Sequence, residues 1–218
     1  MDVKDFFRGR YIEVDREVLR QFGFERSREE VMVAVEKARV AKKSLKLRGP
    51  VCFFRVLCEN LGIEISNRVA LEMDNLFIEK FSRSVELLDS VRFTLAELRR
   101  RGFRMAIISN SNKKFVRKVL RFFKIEEYFE LVVGCDTTGL KKGELEPFRY
   151  ALEKLGLKPC EVVMVGDDEY QDILPAKKLG IKTVKIIGEE GSMPKKLKEE
   201  SCADFAIKKL SALLGILL

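Results

Sequence analysis

The sequence feature that most restricts the possible folds of this chain is an acidic loop that lies between two runs of β-branched residues. It lies within residues 162–186, VVMVGDDEYQDILPAKKLGIKTVKI, where the first apolar run stops at Gly166. Asp167 and Asp168 follow directly, and Asp172 comes four residues after Asp168. A helical pattern and a second β-branched run complete the segment. The order predicts strand, acidic loop, helix and strand, and ligands bind at the carboxyl ends of strands in an open parallel sheet.

The three carboxylates allow two interpretations. Grouped at a strand end, they would repel one another unless a cation lay between them, and hard oxygen ligands suit Mg²⁺. Alternatively, Asp168 is a helix N-cap and Asp172 is a first-turn acid favoured by the helix dipole. Because other strand ends of the chain carry complementary polar groups, we predict a Mg²⁺ site formed by Asp167, Asp168 and Asp172.

Composition excludes several catalytic classes. The chain contains no histidine, so Ser/His/Asp and Cys/His catalysis and imidazole metal sites are ruled out. The five scattered cysteines form no metal-type pair, and neither a signal peptide nor a membrane-length apolar run is visible. We therefore expect reduced thiols and a cytoplasmic protein without a membrane partner. The 35% charged residues with only two glutamines are typical of a thermophile.

The net charge of +8 is spread along the chain. Basic residues do not alternate with aromatic ones in the way that stacks nucleic-acid bases, so the sequence gives no support for a nucleic-acid partner. We interpret the excess as solvated surface that attracts an anionic substrate.

The amino-terminal third predicts a small all-helical domain at residues 20–84. Ser27 and Glu30 form a capping box before an amphipathic run. Gly49 and Pro50 break that helix, with Pro50 at the start of the next one. Ser66 opens a third helix, and no convincing strand interrupts this block.

Beyond residue 84 the pattern alternates between continuous apolar strands and amphipathic helices. This alternation predicts a parallel α/β sheet with helices on both faces, within a core at 85–218 that also includes residues 1–19. Strands are expected near residues 104–108, 131–133, 162–165 and 182–187, and residues 203–218 predict a last short strand and a helix.

Three strand ends carry polar chemistry. Ser109 offers a hydroxyl and Asn110 a backbone N–H just before a helix, which together predict a phosphate cradle, although Ser109 could instead be that helix's N-cap. Lys141 or Lys142 precedes another helix, unless these are solvated loop lysines. With the acidic loop, these groups would converge on a site for an anion and a cation.

Three segments resemble the haloacid dehalogenase superfamily, mainly its phosphatases with a helical cap, and the resemblance covers most of residues 20–218. They are VELLDSVRFTLAELRRRGFRMAIISNSN, VVGCDTTGLKKGELEPFRYALEKLG and VVMVGDDEYQDILPAKKLGI. The resemblance implies a Rossmannoid parallel sheet with a helical cap, and it selects Lys142 over Lys141. The family's prolines after this lysine are replaced by Gly143 and Leu145, which implies a differently shaped loop.

The resemblance also implies a chemistry. It is Mg²⁺-dependent phosphoryl transfer from a small phosphorylated metabolite to an aspartate, followed by hydrolysis of the aspartyl-phosphate. Ser109, with Asn110, would bind the phosphoryl group, and Lys142 would offset its charge. Asp167 would bind Mg²⁺, and Asp172 would support that site or orient Lys142.

The family's first motif, an apolar strand ending in Asp-x-Asp-Gly-Thr, has no clear match in residues 1–20. Two vestiges can be proposed, Asp2 to Asp5 and Glu13 to Asp15. Either native residues precede this chain, or residues 10–14 form a degenerate central strand, or the protein is a non-catalytic relative with a binding or regulatory role.

Overall fold

The computed structural model describes residues 3–44, 53–87, 89–187 and 201–217. The chain divides into two compact units, Met1–Glu86 and Leu87–Leu218. Among the described residues, no helix has both the length and the apolar character needed to cross a membrane.

Four helices form the first unit. α1 and α4 pack together, as do α2 and α3, and α1 also contacts α2. Buried apolar side chains from all four helices form the core, and Tyr11 stacks on Phe81 with ring centroids 4.6 Å apart. The helices are α1 (Val3–Gln21), α2 (Arg28–Ser44), α3 (Phe53–Asn60) and α4 (Asn67–Arg83).

Two predicted helix starts are confirmed in this unit. The Glu30 N–H donates to Ser27 Oγ at 3.2 Å, and the Ser27 N–H donates to Glu30 Oε2 at 2.8 Å, which completes the capping box. Ser66 caps α4 by accepting the Val69 N–H. The predicted break at Gly49 and Pro50 lies outside the described residues.

The proposed strand at residues 10–14 is wrong, because these residues lie within helix α1. Ile12, Asp15 and Leu19 are buried at helical spacing, so the pattern follows a 3.6-residue period and not the alternation of a strand. α1 belongs to the first unit together with the other three helices, whereas the sequence predicts residues 1–19 as part of the α/β core.

The second unit alternates strands with helices, as the sequence predicts. Its strands are β1 (Met105–Ile108), β2 (Phe129–Val133), β3 (Val163–Gly166), β4 (Lys182–Ile186) and β5 (Phe205–Ile207). Its helices are α5 (Asp89–Arg100), α6 (Lys113–Phe122), α7 (Cys135–Thr138), α8 (Glu146–Leu155), α9 (Leu174–Lys178) and α10 (Leu213–Ile216).

All observed strand pairs are parallel, but the strands form two separate groups. β1 pairs with β2, and β4 lies between β3 and β5. The four predicted strands and the short last strand are therefore confirmed. Among the described residues, no strand pairs with the second edge of β1 or of β3.

Helices cover both faces of the strands. On β3, Met164 packs against a cluster that contains Phe148 of α8, while Val163 and Val165 pack against a cluster that contains Leu213 of α10. Successive side chains thus point to opposite apolar layers, as in a parallel sheet that is buried on both faces. The predicted fold class, an α/β unit with parallel strands and helices on both sides, is confirmed.

Candidate active site

An ion pair between two loops lies at the carboxyl end of β3. Lys142 Nζ lies 2.7 Å from Oδ1 of Asp172, whose side chain is only 1% exposed. This Oδ1 atom accepts no well-aligned hydrogen bond from the described residues, so the contact is electrostatic. The Lys142 side chain is 20% exposed, so it is not the freely solvated loop lysine that the sequence left as an alternative.

The end of β3 passes directly against the Asp172 carboxylate. A Cβ atom at Gly166 would lie 2.5 Å from both Cβ and Oδ2 of Asp172, which is closer than real Cβ contacts. The Asp168 N–H donates to the same Oδ2 atom at 3.3 Å. Glycine at position 166 therefore lets the acidic loop fold back on the strand.

Asp168 caps the π-helical turn Glu169–Ile173, which leads into α9. Its Oδ1 accepts the N–H groups of Tyr170 and Gln171, each at 3.0 Å, and its Oδ2 accepts the Gln171 side chain at 2.7 Å. The N-cap interpretation of Asp168 is correct, and its predicted role as a metal ligand gains no support from these contacts.

Asp167 differs from its two acidic neighbours. It is exposed, and it makes no hydrogen bond or ion pair among the described residues. Within the described ranges, no group of three or more His, Cys, Asp or Glu residues is arranged to hold a metal ion. Mg²⁺ usually keeps several waters and binds through one or two carboxylates, and the exposed Asp167 carboxylate has the oxygen donors for one such contact.

Ser109 follows β1 and does not cap α6. Its Oγ accepts the Ser111 N–H at 3.1 Å, whereas the N-cap is Asn112, which accepts the Phe115 N–H at 2.7 Å. Asp136 accepts the Lys113 N–H at 2.8 Å. Because the side chains of Asn112 and Asp136 already accept N–H groups at the start of α6, an anion bound there would be held by the Ser109 hydroxyl.

Asn110 joins the three loops through its side chain, a role that the sequence analysis missed. Its Oδ1 accepts the Lys142 N–H at 2.7 Å, and its Nδ2 donates to Oε1 of Gln171. Gln171 in turn donates to Asp168. The only sequence signal for this network was a rare glutamine inside the acidic loop.

A second ion pair anchors the π-helical turn to β4. Lys185 is 3% exposed, and its Nζ lies 2.6 Å from Oε2 of Glu169. Burial acts to raise the pKa of Glu169, but hydrogen bonds from Lys185, Cys202 and Ser201 outweigh burial and lower the pKa to about 2. Glu169 is therefore ionised and held in place.

These groups surround the polar end of one large cavity in the second unit. Lys142, Asp167 and Asp172 line a space of about 940 Å³, and Ile108, which precedes Ser109, also lines it. The structure thus brings the predicted lysine and two of the three predicted acids together. Apart from Arg104 and Glu161, the other residues that line the cavity are apolar or glycine.

The chain belongs to the haloacid dehalogenase-like hydrolase family, whose family model matches residues 54–186. That match includes β1 to β4 and every predicted site residue.

Two curated relatives match part of the chain. It is 37% identical over 132 residues to pyrophosphatase PpaX from Bacillus pumilus, which is 59% of this chain and 58% of the relative. It is 38% identical over 128 residues to a glyceraldehyde 3-phosphate phosphatase from Pyrococcus furiosus, which is 58% of this chain and 52% of the relative. The match spans less than two thirds of either relative.

Solved structures show the same fold. A HAD phosphatase from Thermococcus onnurineus matches with a TM-score of 0.65 and 24% identity, covering 99% of this chain and 90% of that one. A 2-haloacid dehalogenase from Pseudomonas syringae matches with a TM-score of 0.72 and 19% identity, covering 96% and 90% of the two chains.

Proposed function

We propose that this protein is a phosphatase-type hydrolase that acts on a small phosphorylated metabolite with the help of Mg²⁺. The observation that carries the proposal is the Lys142–Asp172 ion pair beside the free carboxylate of Asp167, at one end of a large cavity. A cation beside a free carboxylate suits a phosphate and its metal ion. The relatives named for pyrophosphate and glyceraldehyde 3-phosphate hydrolysis support the same substrate class.

Each residue has a distinct proposed role. Lys142 offsets the charge of the bound phosphate, and Asp172 holds its ammonium group in place. The Ser109 hydroxyl hydrogen-bonds a phosphate oxygen. Asp167 would hold Mg²⁺, which when bound neutralises phosphate charge during transfer. The first unit, in this proposal, acts as a cap that selects the substrate.

The carboxylate nucleophile of the proposed reaction is not found among the described residues of the second unit's site. Asp172 is committed to Lys142, and Asp168 caps a helix. Glu13, one proposed vestige, lies in α1, where its carboxylate pairs with Arg16 at 2.9 Å and Arg28 at 3.0 Å. We therefore expect residues 1–218 to bind phosphate and Mg²⁺ but to hydrolyse a phosphorylated substrate poorly or not at all.

The test is calorimetric binding of inorganic phosphate in the presence of Mg²⁺. Lys142→Met should weaken binding at least tenfold, while Lys141→Met, which removes an exposed neighbouring charge, should change it by less than twofold. Pyrophosphate and glyceraldehyde 3-phosphate should then compete with inorganic phosphate. If both variants bound phosphate like the unsubstituted protein, the proposed site would be wrong.

A further inference from the structure

Three hydrogen bonds run in one direction across the candidate site. The Lys142 N–H donates to Oδ1 of Asn110 at 2.7 Å, and Nδ2 of Asn110 donates to Oε1 of Gln171. Nε2 of Gln171 then donates to Oδ2 of Asp168 at 2.7 Å. We call these four groups the amide relay. Because each of its two side-chain amides gives one hydrogen bond and receives one, the amides can turn over only together.

The two ends of the amide relay fix its direction. A backbone N–H can only donate, and a carboxylate can only accept. The Lys142 N–H at one end and the Asp168 carboxylate at the other therefore allow one arrangement of the amides between them. If both amides turned over, two donors would meet at Lys142 and two acceptors would meet at Asp168, which would leave polar groups unpaired.

The Asp168 carboxylate uses its two oxygens for two different purposes. Oδ1 caps the π-helical turn by accepting the N–H groups of Tyr170 and Gln171, and Oδ2 ends the amide relay. Capping alone needs one oxygen, which serine, threonine or asparagine also provides. An asparagine that kept its oxygen on the two N–H groups would turn its NH2 group toward the NH2 group of Gln171. The relay therefore requires a carboxylate at position 168, whether or not a metal binds there.

The segment that follows β3 holds Lys142 at two points. The amide relay connects Asp168 to the backbone of Lys142, and Oδ1 of Asp172 lies 2.7 Å from its Nζ. The Asp168 N–H also donates to Oδ2 of Asp172 at 3.3 Å, which joins the two points. A lysine side chain has a flexible four-carbon stem, so the ion pair alone would leave its backbone free to shift. Restraint at both ends fixes the position of the ammonium group.

We propose that Gln171 and Asp168 are positioning residues for Lys142, because the amide relay sets where this lysine presents its charge to a bound phosphate. Neither of the two residues contacts the phosphate in this arrangement. The inference rests on the proposed function, in which Lys142 offsets the charge of the phosphate. It gives Gln171 a role, and it gives Asp168 a role that differs from that of a metal ligand.

The test exchanges donor and acceptor between positions 171 and 168. Gln171→Glu keeps the shape of the side chain but sets two carboxylates against each other. Asp168→Asn keeps the capping oxygen but sets two NH2 groups against each other. The double substitution places an amide donor at position 168 opposite a carboxylate acceptor at position 171, and it leaves the net charge unchanged. Gln21→Glu, at the exposed glutamine of α1, is the matched control.

Two measurements compare these variants with the unsubstituted protein. NMR gives the exchange rate of the Lys142 amide proton, and calorimetry gives the affinity for inorganic phosphate without Mg²⁺, so that metal binding does not contribute. We expect each single substitution to speed the exchange about tenfold and to weaken phosphate binding about fivefold, since each disturbs the hydrogen bonds of the relay. The double substitution should restore both values to within about twofold, and Gln21→Glu should change neither.

The signs of the two single effects separate the relay from simple charge. Charge alone predicts that Gln171→Glu weakens phosphate binding and that Asp168→Asn strengthens it, whereas the relay predicts that both weaken it. Opposite signs, or a double variant no better than the weaker single variant, would overturn the inference. Unchanged Lys142 exchange in every variant, with normal phosphate binding, would also overturn it. If the unsubstituted protein bound no phosphate, the proposed function would fail and this inference with it.

Discussion

The ammonium group of Lys142 lies 2.7 Å from a carboxylate oxygen of Asp172 that is sealed from solvent. The pair joins the loop before α8 to the π-helical turn after β3. Asp172 is buried, and among the described residues its carboxylate pairs with the Lys142 ammonium group and the Asp168 N–H, which stabilise its charge. The pair is therefore both part of the candidate site and a link in the fold.

Replacing Lys142 with methionine should lower the free energy of unfolding by about 3 kcal/mol, since it leaves a buried carboxylate without its cation. Lys141→Met removes an exposed charge in the same loop and should change stability by less than about 0.5 kcal/mol. Urea unfolding at pH 7 measures both values. If both substitutions lowered the free energy of unfolding equally, the Lys142–Asp172 ion pair would make no specific contribution to stability.

Gly166→Ala should destabilise the protein because the new methyl group would lie 2.5 Å from the Asp172 side chain. We expect a loss of about 1–3 kcal/mol from overpacking, together with weaker phosphate binding. Gly215→Ala is the matched control, because a Cβ at Gly215 meets no atom within 4 Å. Thermal unfolding compares the two variants, and an unchanged transition for Gly166→Ala would contradict the close approach.

Glu169 should make stability depend on acid pH. Its pKa in the folded protein is lowered from 4.5 to about 2, so the unfolded state binds the proton more tightly. The stabilisation is therefore complete above about pH 4.5 and is lost as the pH falls toward 2. Glu169→Gln should flatten the pH dependence of urea unfolding over this window, whereas Glu153→Gln, at an exposed position of α8, should leave it unchanged. If the Glu169→Gln variant kept the same dependence of urea unfolding on pH, Glu169 would be excluded as the source of that dependence.

Asp167 should carry most of any Mg²⁺ binding. Because Asp167 is exposed and unpaired among the described residues, Asp167→Asn should remove the binding without lowering the unfolding temperature. Asp168→Asn should retain stability, since asparagine is also a good N-cap, and its effect on Mg²⁺ shows whether Asp168 assists. Titration calorimetry gives both affinities. If Asp167→Asn and the unsubstituted protein behaved identically with Mg²⁺, the site would be ruled out.

The sequence predicted the parallel strands well because their signal is local. Continuous β-branched runs between amphipathic helices fix strand positions, and capping residues such as Ser27 and Ser66 fix helix starts. A strand at residues 10–14 was one of three open alternatives, and the structure excludes it, since the burial of Ile12 and Leu19 follows the helical period of α1.

The site was predictable only in part. Lys142 and Asp172 could be proposed because they lie near the carboxyl ends of predicted strands. The hydrogen bonds that connect Asn110, Gln171 and Asp168, however, join loops that are distant in sequence. No periodicity or spacing encodes such a contact. Whether Asp168 binds a metal or caps a helix is likewise decided by its rotamer, which the sequence does not specify.

Turnover is the last prediction. Residues 1–218 should hydrolyse a generic phosphomonoester poorly or not at all, because covalent catalysis needs a positioned carboxylate and Glu13 is held in a helix by two arginines. Catalytic groups that act as a unit can supply on the order of 10⁶ in kcat, so loss of the nucleophile should remove nearly all activity. Glu13→Gln and Asp2→Asn should therefore leave the residual rate unchanged. A fused apolar strand that ends in aspartate should restore Mg²⁺-dependent turnover, and the same strand ending in asparagine should not. Robust hydrolysis by the unmodified chain would refute the prediction that it lacks a nucleophile. In that case, the substitution that abolished hydrolysis, Glu13→Gln or Asp2→Asn, would identify the nucleophile.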